Sequence, residues 1–544
     1  MPRIVRRHSR RQVLRMGAGA LGAALLVACG GSKEEQSLAS TPRPSIPLPT
    51  SYPGSNATTG GVLRLGAVDG EQDGQVLQRL TSAQLVAVDP RTAFVYADLA
   101  ESVELPGPLT VVFTLRQGLR FHPDASGLAA ALTAGDVARE FQGRGAAGEH
   151  LFSEVVERVE TPDQQTVILH LRGRFSQLFE SLSGASTGAV RSVQHSPVSG
   201  GPLGSGPFVP VTGESGGEVL ARHPLYHRAG LPLLDGVVVL EAKHESDLAE
   251  AFARGGLDVH AHSAAAEDER EGQARADVAE LQRPAFAIMG LGLSLLAEKG
   301  GRAVRAVSAF QDPRIRRAVS VALDRRAIVE RFEAVLSGPV GPAHRADALP
   351  EDELQAHPLN QHDPAAARAL LAAAGEPGLT FRLRASAQAR PRALGRLVEE
   401  QLVAGGFAPR LQLLEDREWE RSFHDGDFEA AVFELEELRT PDLGLRLHTS
   451  AGVDETFSLW GYSNPVYDAA VRDVLSELDP ALRAARSREA QRLLLEDVPA
   501  MFPLGAPLRR ASIAARVGGY EYGAYAFNDS WLSARWSVSA GEPD

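Results

Sequence analysis

The only cysteine of the chain, Cys29, closes an N-terminal segment with the features of an export signal. Six arginines lie within the first 15 residues, and an apolar run follows from Met16 to Ala28. This run is about half as long as a helix needs to be to span a bilayer, which is typical of a signal sequence. Because the chain has one cysteine, no internal disulfide constrains its fold.

Two motifs within this segment indicate the route of export and the anchor. Residues 9–15 (SRRQVLR) resemble a twin-arginine export motif, with Arg10 and Arg11 as its paired arginines. Residues 26–30 (LVACG) resemble a bacterial lipobox, in which cleavage precedes Cys29 and the thiol carries the lipid. We therefore expect residues 1–28 to be a signal peptide. The mature protein is expected outside the cytoplasm, lipid-anchored at the outer face of the cytoplasmic membrane or in the periplasm.

Composition separates a linker from the body of the protein. Residues 29–59 are rich in Ser, Thr, Pro and Gly without an apolar period, which indicates a flexible linker. From residue 60 the chain is long enough for two large domains or several smaller ones. Removal of residues 1–28, with six arginines and no acidic residue, lowers the formal net charge from −13 to −19. Such an acidic surface argues against nucleic acid or an anionic membrane surface as a partner.

The body shows both strand and helix patterns. Apolar residues alternate with polar ones at residues 111–115 and 167–171, which predicts half-buried strands. Asp or Asn followed by Pro opens four apolar-periodic segments, at residues 312, 363, 464 and 479, which predicts four capped helix starts. Strands interspersed with helices indicate an α/β architecture.

A series of short blocks resembles extracellular solute-binding protein family 5, the peptide, oligopeptide and nickel-binding group. These blocks occur in family order along nearly the whole mature chain: 113–122 (FTLRQGLRFH), 132–137 (LTAGDV), 204–208 (GSGPF), 222–226 (RHPLY), 310–319 (FQDPRIRRAV), 461–468 (GYSNPVYD), 488–493 (REAQRL) and 497–499 (DVP). Most of them are caps, turns and core faces, so they identify a fold rather than a binding site.

The resemblance implies an α/β, two-lobed periplasmic-binding-protein-like fold of type II. Lobe 1 is expected over residues 60–285, with an extra subdomain at about 76–195. Lobe 2 is expected over 286–499, and residues 500–544 are expected to return to lobe 1. The resemblance also implies a monomer that captures a peptide-like or cationic solute by hinge closure and delivers it to an ABC permease with its ATPases. It implies no catalytic residue, no metal and no cofactor.

The block that contacts the ligand in peptide-binding members departs from the family pattern. It reads ELEELRTPD at residues 434–442. In those members an Asp four residues before the proline pairs with the peptide α-amine, and Glu437 occupies this position. Glu434 stands where the family has Trp, so we expect Trp460 and Tyr462 to supply an aromatic rim. The alternative is that the acidic run is a solvated strand end.

Other functions remain open at this point. A binder of oligosaccharide or of a metal chelate is compatible with the fold, as is a sensor lipoprotein without a transport role. Residues 184–188 (GASTG) match the hydrolase elbow pattern, but their flanks are typical of a small-residue loop rather than of a strand and helix. His260 and His262 could face one ion from a strand, although histidine-rich surface segments are more often solvated.

Overall fold

The structure is a computed structural model that describes residues 45–46, 59–68, 73–88, 95–184, 186–195, 198–212, 218–261, 277–295, 308–436, 440–450, 459–520 and 529–539. The strands are β1 Ser45–Ile46, β2 Val62–Val68, β3 Val86–Val88, β4 Val95–Ala97, β5 Ala100–Gly107, β6 Thr110–Leu115, β7 Val156–Glu160, β8 Thr166–Leu171, β9 Phe208–Val211, β10 Glu218–Arg222, β11 Gly236–Ala242, β12 Val259–Ala261, β13 Val278–Pro284, β14 Ala287–Leu293, β15 Ala334–Val335, β16 Thr380–Ser386, β17 Ala408–Leu414, β18 Ala430–Glu436, β19 Met501–Ala514, β20 Val517–Gly518 and β21 Ser537–Val538.

The α-helices are interspersed with these strands along the chain. They are α1 Asp73–Thr81, α2 Ala134–Ala146, α3 Leu178–Ser183, α4 Glu245–Ala253, α5 Pro313–Ala322, α6 Arg325–Arg331, α7 Glu351–Ala356, α8 Pro364–Ala373, α9 Ala389–Ala404, α10 Asp416–His424, α11 Pro441–Arg446, α12 Pro465–Leu475 and α13 Pro480–Glu496. Among the described residues, none of these helices has the length and apolar character needed to cross a bilayer.

A five-stranded antiparallel sheet has the order β1-β5-β6-β8-β7. Its strands β6 and β8 carry the alternation predicted from the sequence, because every second residue is buried. The buried side chains, Phe113 and Leu169 among them, pack in one core with residues of α2 and α3. Beyond the turn that follows β6, Arg120 forms an isolated antiparallel bridge with Ala131.

A larger mixed sheet follows the order β17-β16-β18-β14-β19-β12-β2-β11-β10-β9, with β13 and β15 also paired to β19. Parallel pairs, such as β2 with β11 and β16 with β17, lie towards its two ends. The long strand β19 divides this sheet into a β14 half (β14, β16, β17 and β18) and a β2 half (β2 and β9 to β12). It joins the two halves, because it pairs with β14 at one end and with β12 and β13 at the other. The predicted α/β architecture is confirmed.

The four predicted helix starts are confirmed, and each acidic or amide side chain caps its helix. Asp312 accepts a hydrogen bond from the backbone of Arg314, and Asp363 accepts one from Ala366, both at 2.8 Å. Asn464 and Asp479 each accept bonds from two backbone N–H groups of the first turn. Proline occupies the first turn in every case, where its missing N–H has no cost.

The two halves of the large sheet have separate cores. On the β2 half, Leu63 and Val239 pack with Ile513 and Trp536, so the C-terminal segment completes a core that the first strand begins. On the β14 half, the two faces of the sheet carry different cores, with Leu291 on one face and Ile288 on the other. The lobe boundaries given above remain a prediction, although the structure shows that residues beyond 510 pack with the β2 half.

Candidate ligand-binding site

Two neighbouring segments of the described chain connect the halves of the large sheet. Residues 285–286 join β13 to β14, and β19 passes from one half to the other near Pro507. The backbone N–H of Ala285 donates to the carbonyl of Pro507 at 2.8 Å. The carboxyl end of β18 lies beside this crossover, because Glu436 pairs with Ala287, the first residue of β14. The acidic block 434–442 therefore begins where the two halves of the protein meet.

A third segment, Glu333 with β15, contacts β19 at the crossover. Residue Glu333 adopts a positive φ of 48°, which is uncommon for a residue with a side chain. Its carbonyl accepts from Leu508 at 3.1 Å, and its carboxylate pairs with Arg510 at 2.8 Å. These contacts hold β15 against β19, where Ala334 pairs with Pro507.

Glu434 lies in β18 opposite Met289, with 16% of its side chain exposed. Its Oε2 atom lies 3.2 Å from Nε of Arg390, which belongs to the first turn of α9 and is 24% exposed. Arg390 also donates through Nη2 to the carbonyl of Phe332 at 3.1 Å. A cationic group of a ligand at Glu434 would therefore compete with Arg390, and a ligand carboxylate could bind to Arg390.

Arg390 is the charged residue that the sequence analysis missed. It stands in an arginine-rich stretch at the start of α9, where nothing in the local pattern distinguishes it from its neighbours. The strand β16 directly precedes α9 and pairs in parallel with β18. This pairing brings the start of α9 to the acidic block.

Trp460 is buried in the core, with 1% of its surface exposed. Its indole stacks on Phe433 with ring centroids 5.3 Å apart, and it also contacts Phe428 at 5.5 Å. It lies directly over Gly292 of β14, where a Cβ atom would come within 2.0 Å of the ring. In this structure Trp460 therefore fills the core and offers no open face to a ligand.

Tyr462 is also buried, with 3% exposed. Its hydroxyl donates to Oδ2 of Asp497 at 2.5 Å, and Asn464 donates to the same oxygen at 3.1 Å. Burial and the neighbouring Asp497 raise the pKa of Tyr462 above its ordinary value. Both rings expected at an exposed rim are thus placed inside the protein by their packing, and a contact of either with a ligand stays a prediction.

The remaining predicted residues lie outside the described residues. Glu437 is among them, as are Cys29, Arg10 and Arg11. His262 also lies outside them, whereas His260 is 6% exposed beside Phe252. Within the described part of the chain, no three His, Cys, Asp or Glu side chains are grouped so as to hold a metal ion.

Two lobes joined by paired crossovers, with an additional sheet, define the class of extracytoplasmic binding proteins. A sequence profile of the bacterial extracellular solute-binding proteins, family 5, matches residues 95–436. The chain belongs to this family, whose members are solute-binding proteins rather than enzymes, so the predicted resemblance is confirmed.

Individual relatives agree with this assignment. The chain is 23% identical over 473 residues to the di/tripeptide-binding protein 2 of Pseudomonas aeruginosa, covering 80% of this chain and 86% of that protein. HbpA2 from Haemophilus parasuis matches with a TM-score of 0.73 and 16% identity, covering 88% of this chain and 100% of that structure. DppA from Helicobacter pylori in complex with the peptide STSA matches with a TM-score of 0.57 and 18% identity, over 88% and 98%. These likenesses confirm the predicted two-lobed fold.

Proposed function

We propose that this protein is the peptide-binding component of an ABC importer, lipid-anchored through Cys29 and closing its two lobes on a short peptide. The observation that carries the proposal is the Arg390–Glu434 pair at 3.2 Å, beside the crossover between the two halves of the sheet. Support comes from the relative of 23% identity, which is a di/tripeptide-binding protein.

The pair has the chemistry that a zwitterionic peptide needs. A free peptide carries an ammonium group and a carboxylate, and Glu434 and Arg390 offer the opposite charges within one contact. Each side chain is less than one quarter exposed, so ionic hydrogen bonds formed there are stronger than at an open surface. Glu437, three residues beyond Glu434, is proposed as the main partner of the peptide α-amine.

A thermal-shift screen tests the ligand class. Di- and tripeptides, oligosaccharides and metal chelates are compared, because a ligand that binds only the folded state raises its melting temperature. We expect peptides to stabilise the protein, by about 2.7 kcal/mol at a concentration one hundred times Kd. Stabilisation by neutral sugars alone, or by metal chelates alone, would contradict the proposal.

Glu437→Gln tests the proposed amine partner. We expect this variant to lose most of the peptide-induced shift while its unliganded melting temperature stays nearly unchanged. Glu400→Gln, an exposed site on α9, is the matched control and should behave as wild type. Equal peptide affinity in Glu437→Gln and the control would remove Glu437 from the site.

The anchor and the export route have their own tests. Cys29→Ala should abolish incorporation of labelled fatty acid and either release the protein or leave its precursor uncleaved. Labelled fatty acid on this variant would contradict the lipobox. Changing Arg10 and Arg11 to Lys should slow export, and normal export would favour the general secretory route.

Hinge closure predicts compaction on binding. Small-angle scattering should show a smaller radius of gyration when a stabilising peptide is added, because the lobes approach each other. An unchanged radius in the presence of saturating peptide would contradict closure.

A further inference from the structure

The helix α3, which packs in the core of the five-stranded sheet, also touches the β14 half of the protein. The backbone N–H of Ser176, just before α3, donates to the carbonyl of Leu475 at the end of α12 at 3.2 Å. In return, Arg483 of α13 donates through Nη1 to the carbonyl of Ser176 at 2.9 Å. We call this region the α3 contact.

Buried charges reinforce the α3 contact. Arg483 pairs through Nη2 with Glu180 of α3 at 2.6 Å and through Nε with Asp347 at 3.2 Å. The side chains of these three residues are 3%, 10% and 2% exposed. Nearby, Gln177 donates to Oδ2 of Asp442 at 2.6 Å, and Asp442 is 1% exposed. Separation of this contact would leave Glu180 without the partner that Arg483 provides.

An apolar side chain also crosses the boundary. Leu478 lies in the turn between α12 and α13 but belongs to the core of the five-stranded sheet, with 5% of its surface exposed. Separation would return this side chain to water. A contact made of backbone hydrogen bonds, buried ion pairs and a core side chain resembles a permanent interface more than a transient one.

The five-stranded sheet is in turn fixed to the β2 half. Two histidines hydrogen bond to the carbonyl of Gly206. His122, which follows β6, does so at 3.1 Å, and His223, which follows β10, does so at 3.2 Å. His227 bonds to the buried carboxylate of Asp98 at 3.2 Å. The small sheet and the β2 half therefore form one unit, here called the fixed unit.

In the described part of the chain, the β14 half meets the fixed unit at the crossover beside β19 and at the α3 contact. A rigid-body rotation leaves in place only points on its axis. If both attachments persist while the lobes close, the axis must run through both. We propose that the α3 contact is a pivot, the second point of the closure axis, with Arg483 and Glu180 as positioning residues. This inference rests on the hinge closure in the proposed function.

Pulsed dipolar spectroscopy between spin labels tests the pivot directly. In a Cys29→Ala background the chain has no other cysteine, so labels can be placed by pairs of substitutions. Arg174→Cys with Asp473→Cys spans the α3 contact, and Ser246→Cys with His424→Cys joins α4 to α10 across the two halves; all four residues are exposed. On addition of a stabilising tripeptide, the 246–424 distance should change and the 174–473 distance should stay the same.

A shift of the 174–473 distance as large as that of the 246–424 distance would overturn the pivot. If neither distance changes although the peptide raises the melting temperature, hinge closure fails and the pivot fails with it. If no peptide binds, the proposed function fails, but the pivot can still be tested in the unliganded protein. The pivot requires a narrower distance distribution for 174–473 than for 246–424, and equal widths would refute it.

Glu180→Gln tests the residue that the pivot depends on. Loss of the charge should broaden the 174–473 distribution and weaken peptide binding several-fold, and Glu180→Asp should recover part of both. The matched control is Glu353→Gln, which removes the charge of Glu353, a partly exposed partner of Arg492. Arg492, like Arg483, belongs to α13. Identical behaviour of Glu180→Gln and this control would refute the positioning role.

Discussion

At the scale of single residues, the close approach of Gly292 to Trp460 is a tight packing constraint in the β14 half. A Cβ on Gly292 would lie 2.0 Å from the indole, so Gly292→Ala forces the ring out of its packing. We expect this change to destabilise the protein by about 1–3 kcal/mol in urea unfolding. Gly143→Ala is the control, because a Cβ there meets no atom within 4 Å and the site is helical. It should stabilise by up to about 1 kcal/mol, and a neutral Gly292→Ala would contradict the packing.

This contact places Trp460 inside the protein, and the expected aromatic rim of Trp460 and Tyr462 stays a prediction. Trp460 and Tyr462 stand in the short stretch LWGYS at residues 459–463, just before the Asn464 cap. Their burial depends on Gly292 and Asp497, which lie far away in the sequence. A local sequence pattern cannot predict these contacts, because each of them joins residues that are far apart in the sequence.

His448 gives a pH-dependent prediction. Both ring nitrogens are buried without a hydrogen-bond partner among the described residues, and burial lowers the pKa of His448 to about 3. The unfolded chain takes up a proton near pH 6.5, so wild type loses stability as the pH falls from about 6.5 towards the folded-state pKa. His448→Leu removes this loss. Its stability relative to wild type should be about 2 kcal/mol higher at pH 5 than at pH 7.5, and a pH-independent difference would contradict the buried neutral histidine.

At the scale of elements, the helix caps are where local chemistry decides the structure. Asn464 accepts from the backbone of Val466 and Tyr467 at 3.0 and 3.1 Å, so Asn464→Ala should cost about 1 kcal/mol in unfolding experiments. Glu415, which precedes α10 and makes no side-chain cap, is the matched control, and Glu415→Ala should change stability little. Equal effects of the two changes would mean that the Asn464 cap does not stabilise α12.

The caps and the alternating strands were predictable because their signals lie within a few residues. The four starts at Asp312, Asp363, Asn464 and Asp479 and the burial pattern of β6 all agree with the structure. Strand pairing is different, since β19 pairs with β12, β13, β14 and β15, all of them more than 150 residues earlier in the chain. Nothing in the local pattern of residues 501–514 specifies those partners.

At the scale of the whole molecule, the two-lobed fold was predicted from the family resemblance and not from periodicity, whereas the mixed sheet that both halves share is seen only in the structure. The resemblance also pointed to the acidic block 434–442, but Arg390 emerged only once the fold placed α9 beside β18. In the proposed function, ligand binding depends on two segments that are distant in the sequence and adjacent at the crossover. The charges of these two segments are proposed to recognise a free peptide.

Calorimetric titration with a tripeptide and its N-acetylated form tests this claim most directly. Acetylation removes the ammonium charge and leaves the remaining contacts intact. We expect the free tripeptide to bind and acetylation to weaken binding by at least about tenfold, because a partly buried carboxylate loses its partner. Equal affinity for the two forms, or no heat with either, would contradict recognition of a free peptide by these charges.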